Sequence, residues 1–361
     1  MSSPRLEIHL DKIHRNARTL VERLALRGID VTAITKATLG SPEIAEQLLR
    51  AGVAGLGDSR IENLATMRRA RVLATMTLIR SPMRSQARLV VEHADVSCNT
   101  EVDVLQALAD AARKAGRIHG VVLMVELGDL REGILPADLP DVVRVVLDLP
   151  DLELHGIGTN LACQNGIAPD AAKMAELSRL ASSIESTFGV TLAVVSGGNS
   201  ANLDWALGTA DIGRIDDLRL GESILLGRET LRREPIEGLA TDAITLVAEV
   251  IESKVKPSRP WGTVGLSAFG VAPEAVDRGD RRRVIVALGH QDTDPAGLTP
   301  PAGLEIVGAS SDHLVLDADR RPVAVGDELR FVLDYSALTR AMASPFVAKV
   351  IKVGSRMVDH R

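Results

Sequence analysis

Over roughly the first two-thirds of the chain, short apolar runs alternate with stretches of helical periodicity. After "RLEIHL", the residues Leu10, Ile13, Ala17, Leu20 and Leu24 recur at three-to-four spacing with Asp11 near the start, which predicts a helix. "VTAIT" (31–35) is mostly β-branched and predicts a strand. "SPEIAEQLLRAG" follows, with Ser41 placed to cap a helix, Pro42 at its first position and Gly52 just past its end. Further strands are predicted at "AGLGDS", "MTLIRSP", "ADVSCNT", "GVVLMVEL", "ELHGIGTN", "LAVVSGGNS" and "DDLRLGES", eight with "VTAIT". Unbroken apolar runs suit parallel strands covered on both faces. An open sheet and a closed barrel both fit eight βα units. The polar groups decide for an α/β (β/α)8 TIM barrel: "TK", "GDS", "GTN", "SGGNS" and "RLG" all fall at strand carboxyl ends, where a barrel gathers its active site.

The texture changes near residue 241. "AITLVAEVIESKVKP", "RRVIVALG", "LEIVGAS", "HLVLD" and "ELRFVLD" read as strands separated by Gly, Pro and Asp turns. The division predicted is a barrel over 1–240 and a C-terminal all-β domain over 241–361. "GHQDTDPAGLTPPAG" (289–303) reads as a loop, and "DRGDRRRV" (277–284), with acids among its bases, as a solvated one.

Composition narrows the function classes. A net charge of −6 with 25% charged residues offers no electrostatic grip on nucleic acid or an anionic membrane. The N-terminus lacks an apolar signal core, and no later run approaches a membrane span, so a cytoplasmic protein is expected. Cys98 and Cys163 are spaced for neither a metal site nor a disulfide framework, which predicts reduced thiols and no metal. Aromatics make up 2% of the chain and Tyr335 is its one tyrosine, which shortens the roll of possible acid–base groups.

An ammonium at the end of a buried strand has two readings. Lys36 either snorkels to the barrel rim or is a desolvated amine, whose lowered pKa makes it a nucleophile toward a carbonyl. The second reading calls for a carbonyl cofactor with an anionic handle. "VVSGGNSANL" (194–203) offers a site for that handle: paired glycines for backbone approach, Asn199 and Ser200 as donors, and a helix start at "ANLDWAL". "GIGTNL" (156–161) is a second strand end of this kind. Arg219 sits at a strand end in "LRLGESILLG", and Arg131, in "ELGDLREG", has the planar fork that suits a carboxylate.

Taken in order, "ITKATLGSPEIA", "GLGDSRIENL", "ELGDLREGI", "GIGTNLAC", "SGGNSANL", "LRLGESILLGRET", "ALGHQDTDPAGLTP", "GASSDHLVLD" and "LDYSALTRAMASPF" resemble the alanine racemase-like, fold type III pyridoxal-phosphate enzymes. The likeness is greatest to the ornithine racemase (alanine/ornithine racemase) branch and spans nearly the whole chain. It implies a homodimeric racemase that interconverts L and D forms of an ornithine-, lysine- or alanine-like amino acid through an imine and an α-carbanion. It implies that Lys36 holds pyridoxal 5'-phosphate, with Asn160, Ser196, Gly197, Asn199, Ser200, Arg219 and Gly221 around the cofactor and Arg131 on the substrate carboxylate. The β domain is implied to complete the partner subunit's active site. The histidine that packs on the cofactor ring in alanine racemases is replaced, the pair here being Thr159–Asn160. Arg219 stands where related decarboxylases carry a glutamate. A carboxylate keeps the ring nitrogen protonated, whereas an arginine cannot accept that proton, so the carbanion is held less deeply and returned quickly. That favours racemisation over decarboxylation.

Racemisation needs an acid–base group on each face of the carbanion. Lys36 serves one. The segment where alanine racemases carry a tyrosine for the other reads "WGTVGLSAFG" (261–270), with Ser267 where an aspartate is usual in the ornithine-like branch. Cys163, His290, Asp312, Tyr335 and His313 are the candidates in its place, His313 also as a substrate contact. Asp292 and Asp294 either meet a distal ammonium or simply shape a turn. The missing tyrosine leaves open epimerisation, elimination, decarboxylation, or a protein that only carries the cofactor.

Overall fold

The computed structural model describes residues 4–266, 269–270, 276–319, 321–353 and 356–358; Ser267 lies outside them. The chain forms two compact units, Lys12–Thr241 and a second made of Met1–Asp11 with Asp242–Arg361.

In the first unit, β2 (Asp30–Ile34), β3 (Gly55–Asp58), β4 (Met76–Leu78) and β5 (Val96–Asn99) pair in succession. They continue into β6 (His119–Val125), β7 (Leu152–Thr159), β8 (Val194–Ser196) and β9 (Asp217–Leu220). All pairs are parallel, and β9 closes the barrel on β2 with Thr32 opposite Arg219. Each of the eight predicted stretches holds one of these strands. Every residue of β6 is buried, as expected of a strand covered on both faces. The first helix, Leu10–Ala25, buries Ile13, Ala17, Leu20 and Leu24. The next spans Pro42–Arg50, and Ser41 Oγ accepts the Ile44 N–H at 3.4 Å as its cap. Gly156 is required by its neighbour: a Cβ there would lie 2.0 Å from the Val194 carbonyl oxygen.

The second unit corrects the boundary expected at 240/241. β1 (Arg5–His9), assigned by sequence to the barrel, pairs antiparallel with β10 (Ile244–Pro257) and parallel with β16 (Ala348–Val353). A five-residue strand has no place in a barrel already closed, and here both its edges are satisfied. The sheet continues through β11 (Asp280–Val286), β14 (Leu314–Asp317) and β13 (Glu305–Ala309) on one side, and β17 (Arg356–Val358) beyond β16 on the other. β15 (Glu328–Leu333) pairs with β10 and with the two-residue β12 (Leu298–Thr299).

Two further expectations are overturned here. The basic run read as a solvated loop gives its residues 280–284 to β11, which starts before the strand read at "RRVIVALG", and Arg281 there meets Asp317 at 3.2 Å and Asp319 at 2.6 Å across the sheet. The unit is also not purely β. Tyr335–Ala343 is a helix, capped by Asp334 accepting the Ala337 N–H at 2.8 Å and burying Ala337, Leu338, Ala341 and Met342. Among the described residues, no helix is long and apolar enough to cross a membrane.

Candidate active site

The site begins where β2 ends. The Thr35 N–H donates to the Gly57 carbonyl at 2.9 Å, and the chain then makes one 3-10 turn, Lys36–Thr38. That turn leaves Lys36 half-buried at the strand's carboxyl end. Desolvation pushes its amine pKa down. Cys163 and Asp58 pull it back up, while Arg131 and Arg219 push it further down. Four residues from β3, β9 and the loops after β6 and β7 are therefore felt at one nitrogen.

Asp58, in the polar strand end "GDS", is a site residue that the sequence alone does not mark. It is fully buried and accepts from Thr35 Oγ1 at 2.7 Å, the Arg60 N–H at 2.9 Å and Asn63 Nδ2 at 3.0 Å. Burial still raises its pKa against those donors and the Lys36 charge.

Arg219 points inward from β9 and is nearly fully buried. Its Nη2 donates to the Thr159 carbonyl at 2.6 Å and its Nη1 to Ser196 Oγ. Arg131, in the loop after β6, forks onto the adjacent Glu132. Beside it, Asp129 is a second residue the sequence did not flag. Its carboxylate receives the backbone N–H groups of Cys163 at 3.2 Å, Gln164 at 2.9 Å and Asn165 at 3.1 Å. One buried side chain thus pins the loop after β7 and places Cys163, whose thiol is free and exposed. Cys98 is also free but buried, and desolvation raises its thiol to about 11.

The glycine turn after β8 is bound to the same loop. Asn199 Nδ2 donates to Asn160 Oδ1 at 3.0 Å and the Leu161 carbonyl at 2.8 Å, and lies 3.5 Å from Cys163 Sγ. Gly198 has φ +143°, and a Cβ there would fall 2.2 Å from Asn202 Oδ1, so the turn stays bare beside Gly197. Ser200 Oγ lies 3.0 Å from Ser223 Oγ, in the short helix that follows Gly221. Asn160 Nδ2 is buried with no hydrogen-bond partner among the described residues. An orphaned donor, a bare glycine turn, paired serines and two arginines fit an anionic carbonyl cofactor such as pyridoxal phosphate.

The second unit gathers the remaining candidates within itself. The His290 and Gln291 N–H groups donate to the Ser310 and Ser311 carbonyls at 3.0 and 2.9 Å, which brings His290, Asp292, Asp312 and His313 together. His290 packs on Phe269 at 4.2 Å between ring centres, and His313 Nδ1 lies 2.7 Å from Asp312 Oδ1. Asp292 accepts the Gly289 N–H at 2.9 Å, and Asp294 caps a 3-10 turn and accepts from Ser336 Oγ at 2.5 Å. Both aspartates shape the loop. Tyr335 opens the helix to which Ser336 belongs. Among the described residues, no group of three or more His, Cys, Asp or Glu is placed to hold a metal ion.

The family model "Alanine racemase, N-terminal domain" matches residues 8–228. The chain is 41% identical to lysine racemase of Thermotoga maritima over 97% of its own length and 99% of the relative's. It is 38% identical to ornithine racemase of Acetoanaerobium sticklandii, covering 96% and 99%. An alanine racemase structure from Streptomyces lavendulae shares the fold at a TM-score of 0.76, with 21% identity over 98% of both chains. With its eight-stranded parallel barrel and additional sheet, the chain belongs to the alanine racemase family of amino-acid racemases.

Proposed function

We propose that this racemase uses pyridoxal 5'-phosphate and acts on a basic amino acid of the lysine or ornithine kind. The observation that carries the cofactor assignment is the desolvated Lys36 amine at the carboxyl end of β2, its pKa lowered among Arg131, Arg219, Cys163 and Asp58. Likeness to lysine and ornithine racemases over nearly the full chain supports the substrate class. Pyridoxal phosphate, when bound, supplies a carbonyl to the amine and a ring that takes up the electron pair left by the departing α-proton.

The rest is done by the chain's own residues. Lys36 Nζ, whose pKa is lowered by desolvation, would hold the carbonyl and move a proton on one face of the substrate's α-carbon. Asn199, Ser200 and the backbone of Gly197 and Gly198, with Gly221 and Asn160 nearby, bind the phosphate end. Arg219, held at two of its nitrogens, would meet the ring nitrogen as a donor that cannot take a proton from it. Arg131 orients the α-carboxylate by exchanging Glu132 for it. Cys163, held over the same mouth by Asp129, is the second acid–base group that the barrel itself provides. The working form is a homodimer, with His290, Asp312, His313 and Tyr335 of one subunit bordering the other's barrel mouth.

The test is incubation of the cofactor-loaded protein with single enantiomers of lysine, ornithine and alanine in deuterium oxide. The opposite enantiomer should accumulate carrying one deuterium at the α-carbon, for the basic amino acids before alanine. Exchange that returns only the starting enantiomer would remove racemisation, and no exchange at all would leave a carrier.

A further inference from the structure

Beneath Arg219 lies a buried layer to which three adjacent strands each contribute. On β9, Asp217 and Arg219 are two residues apart and share a face of the strand. Ser196 on β8 is in register with Asp217, and Thr32 on β2 is in register with Arg219. Thr32 Oγ1 donates to Asp217 Oδ1 at 2.7 Å, and Ser196 Oγ donates to Asp217 Oδ2. A hydroxyl has a single proton. Because Ser196 gives its own to Asp217, only its lone pairs face Arg219, and these accept from Nη1. The carboxylate therefore fixes the polarity of the serine, and the serine fixes one arm of the guanidinium.

Packing alone cannot do this. The barrel interior holds a cavity of about 290 Å³ whose walls include Thr32, Cys98, Ser196, Asp217 and Arg219. Close-packed interiors hold side chains by contact on all sides, but Arg219 borders open space. Its direction rests on Ser196 and the Thr159 carbonyl. Both Asp217 and Arg219 are more than nine-tenths buried; burial raises the Asp217 pKa, and the hydroxyls of Ser196 and Thr32 and the Arg219 charge favour its ionised form.

We propose that Asp217, acting through Ser196, is a positioning residue that sets the orientation of Arg219 and the charge a bound cofactor's ring nitrogen meets. The inference rests on the cofactor reading above. It gives a role to a buried carboxylate whose side-chain hydrogen bonds run to Thr32 and Ser196. It also places the choice of reaction on a pair of residues instead of on the arginine alone.

The experiment compares the full-length, pyridoxal-phosphate-loaded protein with Asp217→Asn, Ser196→Ala, the double variant and Ser196→Thr. The readouts are the absorption band of the bound cofactor without substrate, kcat and KM for lysine and ornithine, and the melting temperature. Each of the first two variants should shift the band and lower kcat about tenfold or more while KM moves less than about threefold, the scale of loss from a misplaced catalytic group. The double should be no worse than the more damaged single, because both break one path. Ser196→Thr restores the hydroxyl and should recover most of the loss. An unchanged band and kcat with only a lower melting temperature would overturn the proposal, as would losses that multiply in the double. Should Asp217→Asn fail to fold, the contrast of Ser196→Ala with Ser196→Thr decides. A wild-type protein that develops no bound-cofactor band sinks the cofactor reading itself, whereas a normal wild-type band with indifferent variants sinks only this inference.

Discussion

Lys36 and Asp58 sit at the ends of neighbouring strands, and each affects the other's ionisation. Burial drives the lysine toward its neutral form, and the aspartate opposes that. Asp58→Asn removes the opposing charge, so the amine pKa should fall further. The pH profile of imine formation with pyridoxal phosphate, followed by absorbance, should then have its midpoint at lower pH than in the wild type. A midpoint that moves upward would show that Asp58 acts through the fold and not through its charge. Residues legible in the sequence were those whose chemistry conflicts with their local context, such as Lys36 in an apolar strand, paired glycines at 197–198 and Arg219 among leucines. Asp58, Asp129 and Asp217 were not legible. Each lies in an unremarkable polar strand end or turn, and its significance comes from partners on other strands: Thr35 for Asp58, the Cys163 loop for Asp129, Ser196 for Asp217.

Elements were easier to read than their partners. Alternating runs located all eight barrel strands because a parallel strand buried on both faces leaves a continuous apolar signature. β1 lay inside the span assigned to the barrel, 1–240. Nothing local to "RLEIH" says that its partners begin at residues 244 and 348, and only the pairing reveals it. The loop after β7 shows how an element without regular structure is held. Asp129 accepts several of its N–H groups, so Asp129→Ala should cost on the order of 2 kcal/mol in stability through the lost hydrogen bonds to a charged acceptor. Amide hydrogen exchange should accelerate at residues 163–165 more than in β6. Uniform acceleration across the barrel would contradict a local staple. Gly156→Ala is expected to be worse, since its Cβ would meet a backbone oxygen that cannot move without parting β7 from β8. Soluble yield and melting temperature should both fall, and a variant as stable as wild type would contradict the close approach.

At the scale of the whole molecule, each unit carries a carboxylate held down to about 2. Burial alone would raise Glu7, but hydrogen bonds from Arg330 and Arg5 more than offset it; Glu185 is held by Arg214 and the Leu192 N–H. Both pKa values lie below the ordinary range, so their stabilisation is present above about pH 4.5 and is lost as pH falls toward 2. For the buried Glu7 this amounts to about 2–3 kcal/mol. The urea midpoint of Glu7→Gln should therefore lie below that of wild type at pH 7, and the gap should close near pH 2. A gap that persists in acid would mean that the cluster of Arg5, Glu7 and Arg330 acts by packing and not by charge. The proposed shared-site dimer makes a separate prediction. Asp312→Ala should lower activity, and mixing it with Lys36→Ala should give more activity than the two proteins show separately, because one hybrid site would carry neither change; no gain on subunit exchange would contradict it.

The central claim is a covalent bond at one amine. Pyridoxal phosphate is added to the purified chain, borohydride fixes the adduct, and mass spectrometry locates it in a proteolytic digest. A single phosphopyridoxyl group on Lys36, absent from Lys36→Ala, is the predicted result. Labelling scattered over surface lysines, or none at residue 36, would contradict it.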